Sequence, residues 1–319
     1  MDAELDAFKT DIDLRLYAVS VGYQEVRRES WRGSCVMRRD ADDDKIVIKR
    51  NSNGHYVYFS VRDDADNGTI IDFIQHRQRF SLGNVRKALR DWTGRPAPFP
   101  APHFPKLIPT AKDRMRVEAE YRRMKDAPRH AYLEQDRHIP PALLGSHRFA
   151  GRIRIDSRGN AVFPHFDADG LCGYEIKNRD FTGFSAGGEK GLGASHTHPE
   201  DNRLVLAESA IDYLSYAALF PDESDRTRYV SIGGQLNPKQ PGLIAAAAEK
   251  MPPGSVIVAA FDADDAGREL AESVKGYVAA TGRTDLTFRV SFPSQEGFDW
   301  NDVLKGPQNV SFPIARFGI

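Results

Sequence analysis

RLVLAESAIDYLSYAALF (203–220), YVSIGGQLN (229–237) and VIVAAFDADDAGRELAESV (256–274) decide the fold. Each contains a largely apolar run, at 204–207, 229–232 and 256–261, and helical stretches at 210–220 and 241–251 lie between them. Continuous apolar strands joined by helical crossovers predict an α/β domain with a mostly parallel sheet, covered on both faces. A further strand is expected at 287–292.

In such a sheet ligands gather where the carboxyl ends of strands meet the helices that follow. Acidic residues stand at those points. Glu208 follows the first run, and Asp262, Asp264 and Asp265 follow the third. In an extended segment residues i and i+2 face the same way, so Asp262 and Asp264 are placed to point two carboxylates at one cation. Mg2+ or Mn2+ suits hard oxygen donors, and Mg2+ keeps waters and substrate phosphates beside one or two carboxylates. Gly267 permits a tight turn or close backbone approach. A third cluster, Asp299, Asn301 and Asp302, lies in FDWNDVLK (298–305). A lone D-x-D after a strand is more often only a turn or helix cap than a metal site, whereas three clusters on successive strands are harder to read that way.

The 319 residues suffice for about two domains at roughly 100–200 residues each. A hydrophobic fraction of 40% and a charged fraction of 28% exclude a wholly disordered, fibrous or membrane-embedded chain. No apolar run approaches the roughly 18 residues of a membrane helix, and Met1 leads into an acidic amphipathic stretch, so a cytoplasmic protein is expected. The net charge of −1 gives no bulk attraction to nucleic acid, and local patches have to supply it. Cys35 and Cys172 lie too far apart to suggest a disulfide framework or a four-ligand zinc site, and no zinc is expected.

Upstream, Leu5, Phe8, Ile12 and Leu16 recur at helical spacing and predict one helix over 2–21, ended by Gly22. Short strands are expected at 34–39, 45–50 and 55–61, and helices around Ile70–Ile74 and Leu82–Trp92, making residues 1–93 a small α+β domain. GRPAPFPAPHFPKLIPT (94–110) holds six of the 19 prolines and reads as an extended linker. Beyond it, a charged helix at 112–125, a short helix at 139–144, a hairpin pairing 152–155 with 161–166 and a strand at 171–177 form an α+β subdomain over 111–200. The α/β domain then occupies 201–319.

The three acidic motifs together resemble the Toprim domain shared by bacterial DnaG-type primases, topoisomerases and certain nucleases, with the primase branch the nearest. The resemblance implies a Rossmann-like Toprim fold. It also implies that Glu208 acts in acid–base chemistry or near the metal and that Asp262 and Asp264 bind magnesium. Asp212 matches an acidic position of the primase branch, and Asp299 with Asp302 matches its final acidic pair, the second acid being shifted by one. Residues 132–195 are similar to the segment that precedes Toprim in primases, where basic residues line the template and nucleotide path. By that likeness Lys177, Arg179 and Lys190 are candidates for phosphate contacts, with GFSAGGEKGLG (183–193) as a flexible loop that lets Lys190 reach a nucleotide; Arg268 joins this set. The bland alternative is solvated loop charge.

Residues 12–24, the short strands and 67–92 are similar in order and spacing to the zinc-ribbon domain at the start of primases. Cys35, His55, Tyr58 and Phe59 stand where its ligands would, so the likeness implies a metal-free descendant that packs aromatic side chains instead. Arg27, Arg28, Arg32, Arg38, Arg39, Lys45, Lys49 and Arg50, interleaved with Trp31, Tyr56 and Tyr58, suit single-stranded nucleic acid; a solvated sheet face is the alternative. The likeness covers most of 10–305, and the helical end of the primase core and the helicase-binding tail are expected to be missing. It implies a magnesium-dependent primase-like nucleotidyltransferase acting on single-stranded DNA, or RNA, with nucleoside triphosphates, as part of replication or conjugation machinery. A Toprim metal-dependent nuclease and a non-catalytic nucleic-acid-binding accessory protein of a mobile element are the alternatives. A topoisomerase is disfavoured, because its tyrosine-bearing portions have no room.

Overall fold

The computed structural model describes residues 2–51, 53–62, 66–94, 103–108, 110–179 and 181–306. They fall into two compact units, one ending at Ala111 and one beginning at Lys112.

In the first unit the stretch expected as one helix is two, α1 (Ala3–Asp11) and α2 (Leu14–Ser20). Asp13 makes the break. Its backbone is extended and its carboxylate caps α2 by accepting from the Arg15 N–H at 3.0 Å. Five antiparallel strands follow in chain order, β1 (Gln24–Glu25), β2 (Cys35–Arg39), β3 (Asp44–Arg50), β4 (Tyr56–Ser60) and β5 (Asn67–Thr69). The three inner strands stand on the expected runs, and the two short edges went unread. Helices α3 (Ile70–Gln78) and α4 (Leu82–Thr93) complete a core in which Phe73 meets Tyr17, Tyr23 and Tyr58 at 5.2–6.2 Å between ring centroids. The Cys35 thiol is buried and pushed up to about 12, by burial first and then by Glu25. Residues 95–102 and 109 of the proline-rich segment lie outside the described residues. Phe104 and Leu107 pack on this core, and the Pro105 carbonyl accepts from Arg15 at 2.6 Å.

The second unit opens on α5 (Arg114–Arg123), capped by Asp113. After β6 (Lys125–Asp126) come a π-helical turn at Tyr132–Asp136, which a 3.6-residue period cannot reveal, and α6 (Pro141–Leu144). Strands β7 (Arg154–Ile155), β8 (Ala161–Asp167) and β9 (Gly170–Asn178) form the expected meander. The 183–193 segment differs from its expectation as a flexible loop. It is strand at both ends, as β10 (Phe181–Phe184) pairs with β9, and β11 (Leu192–Ala194) bridges β8 and β13 (Thr227–Ser231).

One ten-stranded sheet therefore runs through both stretches that the sequence divides at residue 200, in the order β10-β9-β8-β11-β13-β12-β14-β15, with β6 and β7 alongside β8. Strands β12 (Arg203–Ala207), β13, β14 (Val256–Ala260) and β15 (Thr287–Ser291) are parallel. Their side chains divide cleanly. Val205, Ala207, Val258 and Ala260 face the core under α7 (Ala210–Leu219), while Leu204, Leu206, Ile257 and Ala259 face the core under α9 (Gln240–Glu249) and α10 (Asp265–Ala279). The one-turn α8 (Pro221–Ser224) and α11 (Trp300–Lys305) finish the chain of elements. The helix after β12 lies on one face and the helices either side of β14 on the other, so the crevice between the ends of β12 and β14 is a topological switch point. No helix among the described residues is long and apolar enough to cross a membrane.

A half-buried ionic cluster ties β3, α3 and the turn before β5 together in the first unit. Arg77 spans Asp66 at 2.6 Å and Asp44 at 2.9 Å, and the Asp66 carboxylate also accepts from Tyr58 at 2.5 Å and lies 2.7 Å from His76 Nδ1. Burial alone would raise Asp66, yet hydrogen bonds from His76, Tyr58 and Arg77 hold it below the usual carboxylate range. The same bond to Asp66 raises His76. The lowered Asp66 contributes stability above its unfolded value near pH 4, lost as the pH falls through its folded value. The raised His76 contributes below its unfolded value of about 6.5, lost as the pH rises through its folded value. Asp66→Asn is expected to cost about 2 kcal/mol at about pH 5.5 and less at about pH 9. Hydrogen-exchange protection of β4 and α3 reports this directly.

Candidate active site

The register of the central sheet builds the site. Leu206 lies opposite Ala259, which carries Glu208 level with Phe261 and Asp262 just beyond the strand ends. There the Asp262 N–H approaches Glu208 Oε1 at 3.5 Å. Gly267 closes the turn, because a Cβ on it would stand 2.2 Å from the Asp262 carbonyl oxygen. Three more acids are fixed by helix starts. Asp212 joins Ser209 in a capping box on α7, Asp264 Oδ1 accepts from the Gly267 N–H at 2.7 Å to cap α10, and Asp299 Oδ1 accepts from the Asp302 N–H at 2.5 Å to cap α11.

Glu208 and Asp212 are buried, and Asp262, Asp264 and Asp299 are half-buried around them. Asp262 Oδ1 is inaccessible and has no hydrogen-bond partner. Burial first, then the negative charge of Asp212, Glu208, Asp299 and Asp264, pushes the Asp262 carboxyl up to about 11. Asp299 is also raised, chiefly by burial. Glu208, Asp212, Asp262, Asp264 and Asp299 thus share one electrostatic neighbourhood. Among the described residues, however, no group of three or more His, Cys, Asp or Glu side chains is arranged to hold a metal ion as it stands. The caps account for this, since Asp212, Asp264 and Asp299 each commit an oxygen to a helix start.

Other expected residues lie differently. Asp302 turns to Lys305 at 2.9 Å. Asn301 is buried and ties α11 inward, donating to Ser215 Oγ at 3.0 Å and to the Arg137 carbonyl at 2.7 Å. Arg268 is exposed and paired with Glu296 and Asp265. Arg179 clasps Asp136 through two nitrogens at 2.9–3.0 Å. Lys190 donates from Nζ to the Gln235 carbonyl at 2.9 Å. Lys177 lies buried within strand β9, 3.9 Å from Glu175.

The sequence reading missed the pair that organises these lysines. His165 and Glu175 are buried on adjacent strands, 2.8 Å apart from Nε2 to Oε1, while His165 Nδ1 faces the Gly191 carbonyl at 2.9 Å. Burial raises Glu175, but His165 and then Lys177 and Lys190 outweigh it, so its carboxyl lies below the usual range. Gly233, at a φ of +68°, covers the pair, and a Cβ there would stand 2.8 Å from the imidazole. The next residue, Gly234, donates its N–H to the Glu208 carbonyl at 3.0 Å. Basic and acidic halves therefore meet across one glycine pair. The available signal was a His and a Glu at 165 and 175 within strands otherwise read as apolar, since such groups stay buried only when paired.

Residues 205–304 match the family model described as Toprim-like, and residues 131–202 match that of a protein of unknown function (DUF3991). The second unit holds a Toprim-like domain. No curated protein matches the chain. Among solved structures it is similar to a DNA primase domain from Pseudomonas aeruginosa, at 15% identity over 60% of this chain and 74% of that one, with a TM-score of 0.41. It is also similar to the primase fragment of the bacteriophage T7 primase-helicase protein, at 21% identity over 54% of this chain and 67% of that one, with a TM-score of 0.39. The RNA polymerase domain of Mycobacterium tuberculosis primase DnaG is similar at 15% identity over 47% of this chain and 54% of that one, with a TM-score of 0.29.

A carboxyl whose folded value is raised costs stability as the pH climbs above its unfolded value near 4. Asp262→Asn is therefore expected to stabilise chelator-treated protein by roughly 1–2 kcal/mol at about pH 8 and by almost nothing at about pH 4. Urea midpoints at the two pH values measure the difference, and an unchanged midpoint at the higher pH would count against a concentrated negative charge at this rim.

Proposed function

From the Toprim-like domain at 205–304 and the acids at its strand ends, we propose that the protein is a magnesium-dependent, primase-like nucleotidyltransferase acting on single-stranded DNA with nucleoside triphosphates. One observation carries this reading: Asp262 Oδ1 is a buried carboxylate oxygen without a donor, set beside Glu208 and three further acids. An oxygen in that position is answered by a hard cation. Glu208 and Asp262 would hold it, with Asp264 the next donor. A bound magnesium ion supplies charge neutralisation on substrate phosphates.

The chain's own residues position and move protons. Sheet register fixes Glu208 against the Asp262 backbone, and the caps keep Asp264 and Asp299 from rotating away. Glu208 would take the proton of an attacking 3′-hydroxyl where it does not itself hold the cation. Lys177 and Lys190, gathered round Glu175, bring positive charge to the neighbouring strands, where a triphosphate would need it. Arg179 and Arg268 would have to leave Asp136 and Glu296 before touching a strand. The likeness of 132–195 to the segment preceding Toprim in primases favours nucleotidyl transfer over hydrolysis.

On a single-stranded template with magnesium or manganese, the protein is expected to incorporate labelled nucleotide. Replacing Asp262 and Asp264 together by Ala should lower incorporation by at least about 100-fold, more than the loss typical of residues that only support a metal ligand. Shortening of end-labelled DNA without nucleotides would assign a nuclease instead. Absence of both products would remove the enzymatic reading.

A further inference from the structure

A cleft of about 470 Å3 opens between α5, the segment leading into β7 and the β8–β9 hairpin, and three arginines line it. Their charges are not equally met. Arg154 donates to the Tyr121 carbonyl at 2.8 Å, lies 3.3 Å from Asp126 and covers the Tyr121 ring at 4.4 Å. Arg122 pairs with Glu118 at 3.2 Å, and the remaining acid of the lining, Asp169, lies 3.9 Å from Arg114. Arg152 forms no ion pair among the described residues. Its guanidinium rests on the Phe166 ring at 4.5 Å, and its buried Nε has no acceptor.

Burial pushes the Arg152 guanidinium down, and the only groups that oppose this are the phenols of Tyr121 and Tyr213. Arginine does not answer burial by giving up its proton near neutral pH. A half-buried guanidinium without a counter-charge therefore calls for an anion from outside the chain. Its planar fork matches the paired oxygens of a phosphate, and the Phe166 ring beneath it holds the fork in one plane.

We propose that this cleft is a phosphate-binding site anchored by Arg152, with Arg122 at its wall. The phosphate would belong either to a free nucleotide or to the backbone of a nucleic-acid strand. The inference stands apart from the acidic rim: it needs neither a metal at Glu208 and Asp262 nor any turnover there.

The test measures binding of inorganic phosphate, ATP and a short oligo(dT) to the full chain and to Arg152→Gln across a salt series, with urea midpoints to compare folding. The substitution is expected to weaken binding about fivefold or more and, for the oligonucleotide, to flatten the salt dependence by about one ion. Weakening confined to oligo(dT) assigns the site to a strand, whereas weakening of ATP and phosphate as well assigns it to a free nucleotide. Binding equal to the parent protein for all three probes overturns the proposal. Should Arg152→Gln fail to fold, the unaltered protein decides: phosphate must slow phenylglyoxal modification of Arg152, read by mass spectrometry, and unprotected labelling overturns the site. Manganese binding by the same samples reports on the acidic rim separately, so failure of one reading leaves the other measurable.

Discussion

Carboxyl groups crowded together, where ionising one opposes ionising the next, are the constraint around which the second unit is arranged. Five carboxylates share the rim at the ends of β12, β14 and the segment after β15, and the one at the centre has no donor on its buried oxygen. Nothing local favours that. The apolar faces of β12 and β14 do the holding, since a slip of one residue would turn Val205, Ala207, Val258 and Ala260 out of one core and Leu204, Leu206, Ile257 and Ala259 out of the other. Register set by burial therefore fixes a cluster that electrostatics alone would scatter.

Helix starts supply the second half of the arrangement. Ser209 with Asp212 begins α7 and Asp264 begins α10, so the positive ends of two long helices face the same crevice as the acids. An acid at a helix start after a strand has a structural and a chemical reading, and here one geometry serves both. The cap fixes one carboxylate oxygen of Asp264 and thereby the direction of the other. It also explains why the rim is a neighbourhood of charge more than a finished ligand cage.

Period and punctuation made the parallel sheet, its crossovers and the placement of Glu208, Asp262 and Asp264 legible in the sequence, because largely apolar runs, two of them followed by acids, leave few folds open. Contacts between distant segments were not legible. The break at Asp13 hid inside a helical period because a cap competes with propensity at a single residue. Strands β10 and β11 hid in a glycine-rich run because their pairing partners lie in β8, β9 and β13. Lys177 reads as a candidate phosphate contact at the end of a strand, yet that strand buries it beside Glu175, and the reason for that lies ten residues upstream of Glu175, at His165. Asn301 reads as part of an acidic cluster, although its amide faces inward to Ser215.

Elsewhere the fold meets its buried charges from within. Arg77 has Asp66 at 2.6 Å and Asp44 at 2.9 Å, and Asp201 has Arg148 and Arg228, both at 2.9 Å. Such pairs neutralise each other's charge within the fold. Asp262 and Arg152 break that rule with opposite signs, the one surrounded by its own kind and the other resting on an aromatic ring without an acid in reach. Packing cannot account for either, because an apolar residue of similar size would fill each position at lower cost. The two positions are where the proposed cation and the proposed phosphate would be met, the one by crowded carboxyls and the other by a guanidinium without an acid partner.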